Sequence, residues 1–462
     1  MTPDDRSGFG VRPGAACRVL APLAVAAALA FAGCAPAPVE DADDGAAGPL
    51  VVRNGTLLDG TGGPSLEDAV VVIRGDTVAA VGSAGDVSEP SGARVVDAEG
   101  GWIAPGLVDA HVHFSQTGWF DGRPDAADVR DRRPYPDVVA ELEARPDRYY
   151  GAYLCSGVTS TFDVGGYPWT RDLQRRGERE PGAVRVAAAG ALLSTVDFWL
   201  NLPDQRQFVY MSDEETVREA VRSHAALGSA AIKVWYITPP QPPDTTRVKR
   251  LVRAAAGQAD SAGLPLIVHA TGLWEAKDAV RAGAAVLVHS VWDDEVDEEF
   301  LRLAADAGVV YVPTLTVTEG YANAYAGRTA DEMPYPGRCV DDRTRELLET
   351  GLPEDLRPAW ARGEEIEMPP NPSLERGIEN LRRVHEEGIT VALGTDAGNP
   401  GTAHGPSVHR EAELMARAGM SPSEILVAAT RNGARAMGRA GDLGTLEPGK
   451  KADLIVLDAD PT

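Results

Sequence analysis

Eight short apolar segments alternate with helical stretches through the middle of the chain, and this alternation constrains the fold more than any other feature. The segments are GLVDAHVHF, VTSTFDVG, VRVAAAGALLS, AAIKVWY, LPLIVHAT, AVLVHSV, VVYVPTL and TVALGTDAG. Most are followed by an amphipathic stretch such as SLERGIENLRRVHEEG. Strands that alternate with helices form parallel sheets. Eight such units predict a (β/α)8 TIM barrel, in the α/β class, over residues 105–441.

The two ends of the chain have a different pattern, typical of short β-strands. Residues 50–104 contain LVVRNGTLLDG and AVVVIRGDTVAAVG, in which Gly75 and Asp76 between apolar runs predict a hairpin. Residues 442–462 contain a turn followed by the strand-like LIVLD. Neither piece is large enough to form a stable sheet alone. We therefore expect one small β-sandwich domain built from residues 50–104 and 442–462.

The N-terminus has the features of a secretory signal, which we place at residues 1–33. Basic residues precede the apolar run VLAPLAVAAALAFAG, which is too short to span a bilayer comfortably. LAFAGC resembles a bacterial lipobox, and this implies lipidation of Cys34. The Pro-, Ala- and Asp-rich residues 34–49 read as a flexible tether. The expected location is the periplasm or cell envelope, with membrane contact only through the lipid anchor.

The charge balance limits the possible partners. Acidic residues number 69 against 44 basic ones, so the formal net charge is −25. A chain with no basic excess is unsuited to nucleic acid. It is also unsuited to strongly anionic substrates, unless a local basic patch overrides the total. Beyond Cys34, the cysteines of the mature chain are Cys155 and Cys339, which we expect to be structural and whose pairing the sequence leaves open.

Polar residues end several of the apolar segments. They are His111 and His113 in the first, Lys233 in the fourth, His269 in the fifth, His289 in the sixth and Asp396 in the eighth. The carboxyl ends of barrel strands share one mouth, so these side chains are expected to meet there. Within an extended strand, His111 and His113 lie on the same face. Packing alone does not explain so many polar groups at matching positions.

This set of side chains has the chemistry of a metal site. Imidazole and carboxylate groups suit a borderline divalent ion such as zinc. Lys233 is the exception, because an ammonium group beside a cation is repelled. Its place in the set is reasonable if the amine is neutral, or if CO2 converts it to a carbamate that can bridge two ions.

The combined pattern resembles the amidohydrolase superfamily, and the segment EPGKKADLIVLD at 447–458 resembles the closing segment of that family. The resemblance implies a barrel with a small β domain and two divalent ions, most simply Zn2+. It implies that His111, His113 and Asp396 bind the first ion, and that His269 and His289 bind the second. Carboxylated Lys233 would bridge the ions, and Asp396 would also act as the general base.

The resemblance further implies a function. Among its branches, the prolidase and imidazolonepropionase-related group fits best, and the lysine on the fourth strand favours binuclear chemistry. We expect hydrolysis of an amide (C–N) bond in a small molecule or dipeptide by a metal-bridging hydroxide. One alternative is a mononuclear deaminase or an imidazolonepropionase-like cyclic-amide hydrolase, in which Lys233 is a bystander. Another, from a different class, is a surface binding lipoprotein without turnover.

Candidate substrate contacts come from residues near the expected mouth. Tyr236 follows Lys233 by three residues and is a candidate for polarising the substrate carbonyl. Asn399 and His404 lie in the loop after the eighth strand and are candidates for substrate binding. The long segment 316–372 lies between the seventh and eighth strands, and we expect it to serve as a lid.

Overall fold

The structure is a computed structural model that describes residues 48–238, 245–363, 366 and 368–462. The predicted signal at 1–33, Cys34 and all but the last two residues of the tether at 34–49 lie outside the described residues. None of the helices in the described ranges combines the length and the apolar character that a membrane span requires.

The strands are numbered here in chain order. They are β1 (Leu50–Leu57), β2 (Leu66–Arg74), β3 (Thr77–Ser83), β4 (Arg94–Asp97), β5 (Trp102–Pro105), β6 (Leu107–Val112), β7 (Val158–Asp163), β8 (Arg185–Ala188), β9 (Leu192–Ser194), β10 (Phe208–Tyr210), β11 (Ile232–Trp235), β12 (Leu266–His269), β13 (Val286–Val288), β14 (Val310–Val312), β15 (Thr390–Val391) and β16 (Leu454–Leu457).

The α-helices follow the same convention. They are α1 (Tyr135–Ala144), α2 (Arg148–Cys155), α3 (Asp172–Arg179), α4 (Glu214–Ala226), α5 (Thr245–Ser261), α6 (Leu273–Ala282), α7 (Glu298–Ala307), α8 (Thr316–Tyr325), α9 (Asp342–Thr350), α10 (Pro372–Glu386), α11 (Ser407–Arg417), α12 (Pro422–Val427) and α13 (Gly433–Ala436). A π-helical turn, Ala428–Asn432, connects α12 to α13.

Strands from both chain ends form one sheet. Its order is β16-β5-β1-β2-β3, and β4 pairs with β1. The hairpin predicted at Gly75 and Asp76 is confirmed, because Arg74 pairs with Thr77 across it and Gly75 has a φ of 61°. β16 runs antiparallel to β5, with Leu457 opposite Trp102. The C-terminal segment is therefore an integral part of a small sheet domain, whose apolar residues are buried on both faces.

The middle of the chain forms the predicted (β/α)8 barrel. β6, β7 and β8 pair in parallel, as do β9 and β11 through β15 in sequence order. The third predicted strand is divided into β8 and β9 around Gly190, which has a φ of 79°. The amide of Ala230 donates to the carbonyl of Ala188 at 2.8 Å, which joins the third and fourth strand positions.

The eighth strand position is regular for two residues only, and backbone hydrogen bonds then join it to the first strand. Ala110 N donates to Leu393 O at 2.9 Å, and Asp396 N donates to His111 O at 2.8 Å. Gly394 makes this approach possible, because a Cβ there would lie 2.9 Å from the Cβ of His111. The short strand thus brings the first and last site segments into direct contact.

The long segment after β14 packs against the loop that follows β6. It contributes α8 and α9 to a separate apolar cluster that includes Trp119, Phe120 and Leu348. Cys339 in this segment forms a disulfide with Cys155 at the end of α2, with Cα atoms 5.5 Å apart. The two cysteines, whose pairing the sequence leaves open, are therefore joined, and the bond connects the mouth segment to the barrel.

Candidate metal centre and substrate cavity

His111 and His113 converge at the end of β6, as strand alternation requires. Their Nε2 atoms lie 3.3 Å apart. His113 Nδ1 donates to the carbonyl of Gly165 at 2.5 Å, which leaves Nε2 directed at the site. Both side chains are buried. The two imidazoles therefore present acceptor nitrogens to the same point.

Asp396 completes a triad with these histidines. Its Oδ1 lies 3.2 Å from His111 Nε2 and 3.0 Å from His113 Nε2. One ligand atom from each of the three residues falls within 4.8 Å of the others. Asp396 has a φ of 62°, a left-handed conformation that costs a non-glycine residue free energy and is concentrated at functional sites.

The chemistry of the triad fits a bound cation. Burial, together with the nearby Lys233 charge, lowers the pKa of His111 to about 3, so its ring is neutral. Asp396 Oδ1 is buried without a hydrogen bond of acceptable geometry, although two ring nitrogens lie within 3.2 Å of it. Two imidazole nitrogens and a carboxylate oxygen buried this close together are costly unless a cation binds them. The triad is therefore a metal site by its donor set.

His269 and His289 lie next to the triad. Their ring centroids are 4.3 Å apart, and the His289 centroid is 4.9 Å from that of His111. Burial lowers the pKa of both imidazoles well below the ordinary value. His289 Nδ1 is 2.7 Å from the hydroxyl of Thr314, which leaves Nε2 for another partner. His289 has a φ of 74°, a second strained residue at a strand end.

Lys233 lies among these groups and is fully buried. Within the described part of the chain its amine makes no hydrogen bond or ion pair with a side chain. Burial lowers its pKa to about 7, against the opposing effect of Asp396 and Asp163. Its charge in turn lowers the pKa of His111, His269 and His289. The structure therefore brings together all six of the strand-end residues that the sequence singled out.

Two buried carboxylates that sequence reasoning did not identify support the ligands. Asp109 Oδ1 and Oδ2 accept from the amide and hydroxyl of Thr395 at 3.0 and 2.7 Å. Asp163 Oδ2 accepts from the amide of Phe114 at 2.8 Å, directly after His113. The signal was present in the sequence, because Asp109 lies two residues before His111 and Asp163 ends the second apolar segment.

A cavity of about 220 Å³ opens over the metal site. It is lined by all six strand-end residues, which are His111, His113, Lys233, His269, His289 and Asp396. Its walls include polar and apolar side chains, which come from strand ends, from loops and from α8. The polar residues are Gln116, Arg123, Gln207, Thr318, Tyr321 and Asn399, and the apolar ones include Leu192, Phe198, Leu200, Phe208 and Trp235.

Of the three predicted substrate contacts, only Asn399 lines this cavity. Tyr236 is buried elsewhere, and its hydroxyl donates to Asp278 Oδ2 at 2.9 Å. It follows Trp235, so strand alternation turns it away from the mouth. His404 is also buried, stacks on Tyr149 with centroids 3.7 Å apart, and donates from Nε2 to the carbonyl of His113 at 3.1 Å. The predictions for Tyr236 and His404 were therefore wrong.

Arg123 and Tyr321 are two of the polar cavity residues that sequence reasoning missed. Arg123 lies in the loop after β6, ten residues beyond His113, and no arginine was distinguished from the background. Tyr321 is carried by α8, and its hydroxyl donates to Asn399 Oδ1 at 2.9 Å. The position of Arg123 in a loop at the carboxyl end of a barrel strand was a usable signal. Nothing in the sequence indicated which face of α8 would be turned toward the cavity.

Comparisons with known proteins agree with this geometry. Residues 102–462 match the amidohydrolase family. The chain is 27% identical over 423 residues to an imidazolonepropionase of Rubrobacter xylanophilus, with 85% of each chain covered. It is 26% identical over 436 residues to a 5-methylthioadenosine/S-adenosylhomocysteine deaminase of Symbiobacterium thermophilum, with 89% of this chain and 85% of that one covered.

The fold has counterparts among solved structures. A Xaa-Pro dipeptidase with bound methionine superposes with a TM-score of 0.67 at 22% identity, covering 89% of this chain and 94% of that one. The family match spans the barrel and the C-terminal strand, and it includes every residue of the metal site. The chain is a metal-dependent hydrolase of C–N bonds and belongs to the amidohydrolase family.

Proposed function

We propose that this protein is a binuclear amidohydrolase that hydrolyses an amide bond in a small molecule or dipeptide. The observation that carries the proposal is the position of Lys233, which is buried without a side-chain partner among the described residues and next to the histidines and Asp396. His111, His113 and Asp396 would bind one Zn2+, and His269 and His289 the other. The binding-lipoprotein alternative has no support from a site this complete.

Lys233 suits the role of a bridge after reaction with CO2. With its pKa lowered to about 7 by burial, much of the amine is neutral near neutral pH and can act as a nucleophile. The amine nitrogen adds to the carbon of CO2 and releases one proton, which gives a carbamate with one negative charge. This product replaces a repelled cation with two oxygen ligands that hard or borderline divalent ions accept.

Asp396 has the position for proton transfer. Divalent ions, when bound, supply Lewis acidity to water and to the substrate carbonyl. Asp396 would take a proton from the attacking water through one oxygen and deliver it to the nitrogen of the breaking C–N bond. Its backbone conformation, and the hydrogen bond that its backbone N–H donates to His111 O, hold the carboxylate at this point.

A mononuclear hydrolase or deaminase is the second candidate. One observation favours it. Among the described residues, His111, His113 and Asp396 form the group of three possible metal ligands whose ligand atoms all lie within 4.8 Å of one another. These three residues are enough to hold one ion. In that case Lys233 would stay an amine and would act only through its charge. The two candidates differ in the number of ions bound and in the chemical state of Lys233.

The test is the substitution Lys233→Met, which preserves apolar volume and removes the amine. We expect metal content to fall by about one ion per chain and the amidase activity to fall by on the order of 1,000-fold or more. Protein equilibrated with 13C-bicarbonate should give a carbamate 13C signal that the variant lacks. Lys249→Met, on α5, is the matched control. Full activity and full metal content in Lys233→Met would contradict the bridging role.

We also propose secretion and lipid anchoring at Cys34. The Cys155–Cys339 disulfide supports an oxidising compartment, where such bonds persist. In a bacterial host with a lipoprotein pathway, the chain should take up labelled palmitate and fractionate with membranes. Cys34→Ala should abolish the label. Label uptake that survives this substitution would contradict the proposal.

A further inference from the structure

The two walls of the cavity differ in chemistry, and this difference bears on the substrate. Arg123, Tyr321 and Asn399 form a polar wall, whereas Phe198, Phe208 and Trp235 belong to the apolar one. A cavity that recognises a neutral polar amide has no need of a guanidinium group. The division therefore suits a substrate with one charged end and one apolar end.

Arg123 is held in a fixed orientation at the polar wall. Its Nε and Nη2 donate to Asp125 Oδ1 and Oδ2 at 2.9 and 2.7 Å, and its Nη1 donates to Asn399 Oδ1. Its guanidinium carbon lies 6.0 Å from the centroid of the Tyr321 ring. Three of the five N–H donors of an arginine are thus used by these partners, and the other two have no hydrogen-bond partner among the residues that the structure describes. A preoriented guanidinium with two donors is suited to a carboxylate.

The polar wall is connected to the general base of the proposed reaction. Asn399 Nδ2 donates to the backbone carbonyl of Asp396 at 3.1 Å, and Asn399 Oδ1 accepts from both Arg123 and Tyr321. A group bound to Arg123 therefore lies on the Asp396 side of the site. Because Asp396 delivers its proton to the leaving nitrogen, this side holds the amine half of the substrate.

The apolar wall is on the side of His269. The ring centroids of Phe198 and Phe208 are 4.8 Å apart, and those of Phe198 and Trp235 are 5.0 Å apart. Trp235 also contacts His269, with centroids 6.1 Å apart. This cluster of three rings offers an aromatic surface to an acyl group whose carbonyl lies over the metal site.

We propose that the substrates are N-acyl amino acids or dipeptides with a free carboxylate in the amine half, bound by Arg123, and an apolar acyl half on the Phe198, Phe208 and Trp235 rings. This inference rests on the proposed amide hydrolysis and deepens it. It assigns Arg123 as the residue that determines specificity for the charged end. The negative net charge of the chain does not exclude a substrate with a carboxylate, because the positively charged Arg123 lies at the cavity itself.

The test compares three amides on the metal-loaded, full-length protein. N-benzoylphenylalanine has its carboxylate in the amine half, N-benzoylphenylalaninamide lacks the charge, and N-phenylsuccinamic acid has its carboxylate in the acyl half. We expect kcat/KM for the first to exceed that for each of the others by on the order of 100-fold or more. In Arg123→Gln the preference over the amide should fall to within about threefold.

A matched control is available on the same loop. Arg130 donates from Nε and Nη2 to Asp128 at 2.8 and 2.6 Å, the same side-on pairing, but it does not line the cavity. Arg130→Gln should leave the preference for the carboxylate unchanged. Free phenylalanine should inhibit the wild-type protein and Arg130→Gln competitively, and it should inhibit Arg123→Gln at least about tenfold more weakly.

The outcomes separate this inference from the proposed function. Hydrolysis of the acid and the amide at equal rates would overturn the role of Arg123 and leave amide hydrolysis standing. A preference for N-phenylsuccinamic acid would overturn the orientation. A preference that persists in Arg123→Gln would assign the charged end to another residue. Absence of hydrolysis of every amide, with full metal loading, would instead contradict the proposed function.

Discussion

At the scale of single residues, the site is built from side chains that would be unfavourable anywhere else in a barrel. His289 and Asp396 have left-handed backbone conformations, and Lys233 is fully buried. Each of these features costs free energy in isolation. These residues come from the fourth, sixth and eighth strand positions and converge at one mouth of the barrel, which is explained if a bound cation offsets the cost. Substitutions at these positions should therefore affect metal content before they affect the fold.

Tyr236 allows a test that distinguishes a role in packing from a role in catalysis, because it is buried away from the cavity. Tyr236→Phe removes the hydrogen bond to Asp278 and leaves the buried ring in place. We expect a loss of about 1 kcal/mol in the free energy of unfolding, and kcat and KM within about twofold of the wild type. Denaturant unfolding and steady-state kinetics measure both. A large fall in kcat without loss of stability would restore the discarded role in carbonyl polarisation.

At the scale of elements, α8 is the part of the mouth whose position matters most, since it carries Tyr321. Helix α11 holds it at two points. Glu411, which is fully buried, accepts from the amides of Leu315 and Thr316 at 2.9 and 2.8 Å, at the start of α8. Arg410 donates to both carboxylate oxygens of Glu319 in α8, at 2.7 and 3.0 Å. The polar wall of the cavity is therefore positioned by side chains outside it.

Glu411 makes this contact sensitive to pH. Burial raises its pKa to about 8, above the usual value of 4.5 that applies to the unfolded chain. Between these values the folded protein retains a proton that the unfolded chain has lost. The stabilisation is therefore complete below pH 4.5 and is lost as the pH rises through about 8. One such proton contributes a slope of up to about 1.4 kcal/mol per pH unit.

Glu411→Gln should reduce this slope, because the amide does not titrate. We expect the free energy of unfolding to fall less steeply from pH 5 to pH 8 in the variant than in the wild type, by up to about 1.4 kcal/mol per unit. Urea denaturation across this range measures the slopes. Glu413→Gln, an exposed change on the same helix, is the control. Parallel slopes for Glu411→Gln and the wild type would show that Glu411 does not titrate in this range.

At the scale of the whole molecule, most of the architecture could be predicted because the signals are periodic. Apolar segments alternate with amphipathic ones, so the barrel, the strand ends and the six strand-end residues such as His111 and Asp396 follow from pattern alone. The sheet shared by both chain ends follows from the small size of each piece. These features depend on local sequence and on general rules of chain topology.

The remainder could not be predicted because it depends on how distant segments pack. The burial of His404 is set by neighbours such as Tyr149 that no local pattern identifies, and the Cys155–Cys339 bond joins residues 184 positions apart. Arg123 and Tyr321 meet through Asn399, which comes from a third segment. The candidate metal ligands could be predicted because strand geometry places them, whereas several cavity residues lie in loops whose course depends on tertiary packing.

The measurement that tests the account most directly is the metal content of protein purified without chelators, by elemental mass spectrometry, for the wild type and for Asp396→Asn. We expect about two divalent ions per wild-type chain, and fewer in the variant together with a loss of amidase activity. Wild-type protein that binds no divalent ion, and gains no activity when zinc or manganese is added, would contradict it.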